Sequence, residues 1–118
     1  MSTRPDEDLL NDILRAAERI ERRLRGTTRE QFMDDDVLQE AVMLQIAVIG
    51  EAARNLSLEF RNAYPQIPWQ DIGNMRNRLV HAYHLVSLAI VWDTATADIP
   101  DVVGRLSRSG RPPTDPEA

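Results

Sequence analysis

The residue types best suited to chemistry crowd into one stretch, Met75-Arg76-Asn77-Arg78-Leu79-Val80-His81-Ala82-Tyr83-His84. At about 100° per residue on a helix, Met75, Leu79, Ala82 and Val86 share one face, which reads as the core side. Asn77, His81 and His84 share the opposite side, and Arg76 and Tyr83 lie together on one flank. That polar side offers an imidazole that can give or take a proton near neutral pH, a permanently charged guanidinium, an amide and a phenol. Such a set can bind something and protonate it. Arg76 and His81 differ by about 140° around a straight helix, so within one chain they do not meet across a single phosphate. Two such helices apposed in a symmetric dimer would line one cleft with both residue types. An R-x4-H spacing alone occurs in many helices by chance. Taken by itself, the stretch is better described as an exposed helix face with a capping or salt-bridging arginine.

Composition narrows what else the chain can do. Its 118 residues carry 19 Asp plus Glu, 14 Lys plus Arg and 2 His, for a net charge of −5. All the basic residues are arginine, which removes Schiff-base chemistry and a Walker-type lysine. The absence of cysteine removes a disulfide scaffold, a zinc–cysteine site and a thiol nucleophile. An acidic chain is a poor general binder of polyanions, so meeting nucleic acid requires a local arginine cluster or a partner. His84 follows His81 by one helical turn, but no carboxylate on the adjacent turn completes a metal site. No metal and no cofactor are therefore expected. No apolar run approaches the roughly 18 residues of a membrane span. The start, Met1 to Asp8, is polar and acidic and carries no visible secretory signal. A cytoplasmic protein without membrane association is the expectation.

The elements that must hold these residues are helical, because strand signals are nearly absent and helical spacing is everywhere. Leu9, Leu10, Ile13, Leu14, Ala17, Ile20 and Leu24 predict a first helix from near Asp6, stopped by Gly26. A short helical turn follows over Thr28 to Phe32. A second long helix starts in the acidic cluster Asp34 to Asp36 and runs to about Leu58 or Asn62. It carries two apolar stripes: Leu38, Val42, Gln45, Ile49, Ala52 and Leu56, and beside it Val37, Ala41, Leu44 and Val48. So wide an apolar arc needs cover on more than one side, and a second copy of the chain is the expected source of it. Gly50, in mid-helix, would allow close backbone packing. Tyr64 to Pro68 reads as a loop, and Trp69, Ile72, Met75, Leu79 and Ala82 as the next helix. A break is expected at His84-Leu85-Val86, with Ser87 capping a helix that Pro100 kinks or restarts and Asp98 caps. Val102, Val103 and Leu106 complete the packing surface. Ser107 to Ala118, with Gly110, Pro112, Pro113 and Pro116, reads as a frayed tail. The expectation is an all-α bundle of four to five helices over residues 6–106, with a flexible tail over 107–118.

The run Ile67-Pro68-Trp69-Gln70-Asp71-Ile72-Gly73-Asn74-Met75-Arg76-Asn77-Arg78-Leu79-Val80-His81-Ala82-Tyr83 resembles the HEPN-domain toxins of the HepT-like family. So do Ile90-Val91-Trp92-Asp93 with Asp98-Ile99-Pro100, and upstream Ile49-Gly50-Glu51-Ala52-Ala53. The resemblance runs from about Asp8 to Leu106, with several segments matching in order. It implies a metal-independent ribonuclease, active as a homodimer, whose R-x4-6-H motif lines a cleft at the dimer interface. Arg76 and His81 are then the catalytic pair, and Asn77 is the polar residue beside that arginine. Tyr83 is the tyrosine of the extended R-x4-H-x-Y motif, the acceptor of AMP from a cognate minimal nucleotidyltransferase antitoxin. The implied chemistry suits the residue types. The ribose 2′-OH attacks internally, imidazole serves either proton role, and arginine holds phosphate oxygens. An AMP group on Tyr83 would set charge and bulk on the flank of Arg76.

Other residues carry open readings. Glu51 extends the second stripe of the long helix. It either pairs with Arg54 or another arginine, or orients Arg76 or His81 from the neighbouring helix. Arg15, Arg19, Arg22 and Arg23 read as a solvated face with internal Glu pairing, the alternative being an RNA track. Trp69 and Trp92 read as core, and Asp34, Asp35 and Asp36 as helix-start charges rather than a calcium loop. Two other functions compete with the enzyme: a non-catalytic binding subunit of a nucleotidyltransferase complex, and a purely structural helical dimer.

Overall fold

Asp6, Glu7 and Asp8 stand in the first turn of helix α1 (Asp6–Leu24), where carboxylates favour the positive end of the helix dipole. The structure, a computed structural model, describes residues 4–108. α1 buries Leu9, Leu10, Ile13, Ala16, Ala17, Ile20 and Leu24 along one face. Its other face is solvated, and Glu21 pairs there with Arg25 at 2.6 Å. The chain then turns at Gly26, whose φ of 77° is open to glycine at no steric cost. Thr28 and Gln31 form a reciprocal capping box that starts α2 (Arg29–Met33). Phe32 on α2 is fully buried and packs on Trp92 at 5.4 Å.

Asp35 caps α3 (Asp36–Asn55) by accepting from the Leu38 N–H at 3.0 Å. The acidic cluster thus serves as helix-start charge. The buried Gln39 amide donates to the Phe32 and Met33 carbonyls, tying the end of α2 to α3. α3 stops at Asn55, short of the predicted Leu58 or Asn62, because Ser57 caps a separate helix, α4 (Leu58–Ala63). The Ser57 hydroxyl accepts from the Phe60 N–H, while its own N–H and O–H donate to the Asp6 carboxylate at 2.8 and 2.6 Å. The start of α1 therefore fixes where α3 ends. Ser57→Ala is expected to destabilise the fold by about 1–2 kcal/mol, read as a lower urea midpoint at unchanged slope.

Tyr64–Pro68 is the predicted loop, with the Ile67 and Tyr64 side chains turned inward. Trp69 opens α5 (Trp69–His81). Its indole N–H is shared between the Arg61 and Tyr64 carbonyls and its ring meets Phe60 edge-on, so both tryptophans pack into the fold. The predicted continuation of this helix to the His84 region is corrected. Ala82 leaves helical geometry (φ −142°, ψ 37°), and Tyr83–Leu85 forms a single 3-10 turn. The turn is closed by Leu85 N–H to the Ala82 carbonyl and Val86 N–H to the Tyr83 carbonyl, which bring the chain to Ser87.

Ser87 caps α6 (Leu88–Asp93) as expected, and a new α-helix begins one residue before Pro100. A π turn over Thr94–Asp98 joins α6 to α7 (Ile99–Arg108), and Ile99 stays in helical geometry. That wide turn absorbs the proline ring and its missing N–H. Asp98 sits inside the turn, so it is not a cap. α7 extends to Arg108, two residues past the predicted domain edge at 106; the rest of the predicted tail, 109–118, lies outside the described residues.

The fold is all-α. α3 is the central rod, packed against α1 on one side and α5 on another, with α7 against α1. Its first stripe is buried at Val42, Gln45, Ile49 and Ala52, and Leu56 beyond its end is buried too. Its second stripe is not: Val37 is 73% and Leu44 61% exposed, and Val48 also faces out. Among the described residues, no helix is long and apolar enough to cross a membrane.

Candidate functional site

The α3–α5 crossing sets the position of Arg76. At Gly50 an added Cβ would overlap the Arg76 Cβ and lie 3.1 Å from the Ile72 carbonyl oxygen. Glycine is therefore required there by close approach, and the approach brings the Arg76 stem onto the α3 backbone. One residue further along α3, Glu51 meets the guanidinium: Arg76 Nε and Glu51 Oε1 form an ion pair at 3.0 Å. Arg76 Nη1 donates to the Asn77 side-chain oxygen at 3.1 Å. One ion pair and one hydrogen bond do not exhaust the five donors of a guanidinium.

Glu51 is a hub. It also receives Arg54 at 3.8 Å, and the Asn55 amide at 3.1 Å through its second oxygen. Glu51 thus pairs with Arg54 and, across the helix crossing, with Arg76. Among the described residues, no hydrogen bond or ion pair joins Glu51 to His81. The Arg76 side chain is only 20% exposed against 50% for Glu51, so the guanidinium is the better shielded member. Asn55 is missing from the sequence reading, although its spacing of four from Glu51 on one helix face is a usable signal.

Arg76 and Glu51 wall a recess of about 470 Å³ whose rim includes Val48 and Val80. Both valines are partly open to solvent, and Val48 belongs to the uncovered stripe of α3. The recess and the stripe thus form one continuous face.

His81 is the last residue of α5 and is exposed, as is Asn77. Among the described residues, no hydrogen bond or ion pair joins His81 to Arg76. This agrees with their spacing around one helix. Tyr83 and His84 lie in the 3-10 turn, both exposed. The helical projection that set Tyr83 on the flank of Arg76, and His84 one turn from His81, does not hold beyond His81 because the helix has ended. No three His, Asp or Glu side chains among the described residues converge as metal ligands do.

The structure therefore gathers Arg76, Asn77 and Glu51 into one bonded cluster, and leaves His81, Tyr83 and His84 at the open end of α5. Residues 13–108 match the family described as Ribonuclease HepT-like. The chain is 37% identical over 105 residues to "Probable ribonuclease HepT" of Thermococcus cleftensis, covering 89% of this chain and 96% of that one. Two further relatives are each named "Putative RNase". The one from Caldanaerobacter subterraneus is 38% identical over 93 residues, covering 79% of this chain and 83% of that one. The one from Methanocaldococcus jannaschii is 32% identical over 102 residues, covering 86% and 84%. No solved structure matches the chain.

Proposed function

The chain belongs to the HepT-like ribonuclease family, and from that premise we propose that it is a toxin that cuts RNA without a metal, as a homodimer in the cytoplasm. The carrying observation is Arg76, anchored by Glu51 and Asn77 at the edge of an open recess. In this reading the 2′-oxygen of the RNA attacks the adjacent phosphorus. The bond to the 5′-oxygen breaks, leaving a 2′,3′-cyclic phosphate and a 5′-hydroxyl. One His81 accepts the 2′-OH proton and the His81 of the second copy protonates the departing 5′-oxygen. Arg76 donates to the phosphorane oxygens, its charge already oriented by Glu51 before substrate arrives. Glu51 and Asn77 are positioning residues.

The dimer is supported by the uncovered stripe of α3, which adjoins the recess through Val48. Burying that stripe against a second copy would bring both sets of Arg76 and His81 to one cleft. Leu44→Glu places an unpaired charge in such an interface, at about 3–5 kcal/mol per copy. It is expected to convert a dimer to monomers in sedimentation velocity and to abolish cleavage. A dimer that survives with full activity would put the interface elsewhere.

Neutralisation by a minimal nucleotidyltransferase antitoxin, adding AMP to the Tyr83 oxygen, fits the exposure of that side chain. Two residues from His81, the adduct would set a phosphate charge and bulk at the mouth of the cleft. The test is cleavage of mixed cellular RNA in EDTA by protein whose Tyr83 is unmodified by mass spectrometry. Cyclic-phosphate ends are expected. Absence of cleavage by such protein would favour the non-catalytic binding subunit, a reading that the net charge of −5 supports.

A further inference from the structure

A second cleft, of about 650 Å³, opens between α4 and the first half of α5. Its chemistry differs from the rest of the molecule. The chain is acidic overall, yet the lining carries Arg54 and Arg61, the amides of Asn62, Gln70, Asn74 and Asn77, and no carboxylate. The recess beside Arg76 and the apolar groove lined by α7 each contain acidic residues. Gln70, Asn74 and Asn77 recur at spacings of four and three on one face of α5, and Gln70 donates to the Asn74 oxygen at 3.3 Å. Arg61 Nε is buried with no hydrogen-bond partner, an unmet donor on a guanidinium that lines the cleft. Leu58, Pro65 and Trp69 supply an apolar wall. The cleft runs to Asn77, which is bonded to Arg76.

We infer that this cleft is a nucleotide subsite for the RNA strand next to the scissile phosphate, with Arg54 and Arg61 holding a phosphate and the Gln70 and Asn74 amides reading a base edge. The inference rests on the ribonuclease reading for the identity of its ligand. Amides both donate and accept, as a base edge does. Guanidinium groups hold phosphate oxygens in pairs. The volume lies within the range of about 300–1,000 Å³ usual for small-ligand sites. Arg54 bridges the two sites, since it lines this cleft and pairs with Glu51.

The test is affinity for a short fluorescein-labelled single-stranded RNA of mixed sequence, made resistant to cleavage by 2′-O-methyl groups. Gln70 and Asn74 are exposed, so Gln70→Glu and Asn74→Asp leave the fold intact. Each adds an anion to the cleft and is expected to weaken binding about tenfold. Arg54→Gln is expected to reduce the slope of log affinity against log salt by about 0.7, one phosphate contact on a single strand. Gly73→Leu is the most informative variant. A Cβ at Gly73 meets nothing within 4 Å, and leucine favours a helix over glycine. It should fill the cleft without lowering the melting temperature, and RNA affinity should fall. Asn11→Asp, which adds the same charge on α1, is the control and should change little. In cleavage of unmodified RNA, Gln70→Glu, Asn74→Asp and Gly73→Leu should raise KM and leave kcat unchanged. Wild-type affinity in Gly73→Leu and Asn74→Asp, or no RNA binding by the wild type, overturns the inference. Cleavage by the wild type with KM unmoved in these variants refutes the subsite and leaves the ribonuclease standing. Binding through the cleft with no cleavage refutes the ribonuclease and leaves the subsite standing.

Discussion

His81→Ala is expected to lower RNA cleavage by about 10²–10⁴-fold, the range for removing a general acid or base. Both proton transfers fall on the same substitution in a symmetric dimer, so the loss should lie toward the upper end. Stability should move by no more than about 0.5 kcal/mol, because His81 is exposed at the last position of α5 and Ala82 already leaves the helix. Single-turnover cleavage in EDTA measures the effect, with sedimentation and thermal melts to show that dimer and fold persist. Unchanged cleavage would remove His81 from the chemistry and with it the two-histidine scheme. A loss of cleavage accompanied by loss of the dimer would instead make His81 an interface residue.

Gly50→Val should damage stability and activity together. The Cβ alone overlaps the Arg76 Cβ and crowds the Ile72 carbonyl, and neither neighbour is the far end of a flexible side chain. Relief requires α3 and α5 to part along a principal contact of the fold. The better helix propensity of valine returns only about 0.4 kcal/mol, against overpacking of about 3 kcal/mol. The melting temperature should fall by roughly 10–20 °C for a domain of this size. Arg76 would also be drawn from Glu51, and a shift of about 1 Å in such a group can cost 10²-fold in rate. Urea denaturation and cleavage at a temperature where the variant is still folded separate the two effects. A variant with the wild-type urea midpoint would mean that the helices have room that this crossing denies them.

Local sequence was sufficient wherever neighbours along the chain decide the outcome. The apolar spacing of α1 and of the first stripe of α3 marked the faces that are buried. Asp35 and Ser87 sit where a side-chain oxygen can take an orphan N–H three residues on, and both cap as their positions suggest. The unpartnered stripe of Val37, Leu44 and Val48 was also legible, because too wide an apolar arc is visible without knowing what covers it.

Boundaries set by distant groups were not legible. α3 ends at Asn55 because Asp6, 51 residues earlier than Ser57, holds Ser57 in place. Propensity alone carries that helix onward. Pro100 marked where a helix restarts, but the π turn upstream that leads into it was not legible. α5 stopped at His81, where Ala82 leaves helical geometry and a 3-10 turn begins, and this moved Tyr83 off the helix that local spacing assigned to it.

The same division runs through the candidate site. The sequence by itself singled out the candidate groups, Arg76, Asn77, His81 and Tyr83, since residue type and spacing along one segment are local properties. It also determined the glycine that a close helix crossing demands. Only the tertiary structure decided that Gly50 sits against Arg76, that Glu51 takes the Arg76 guanidinium and that the amides of α5 face Arg54 and Arg61 across one cleft. Those pairings join different helices, and their register depends on how two rods cross, which hydrophobic spacing along either rod leaves open.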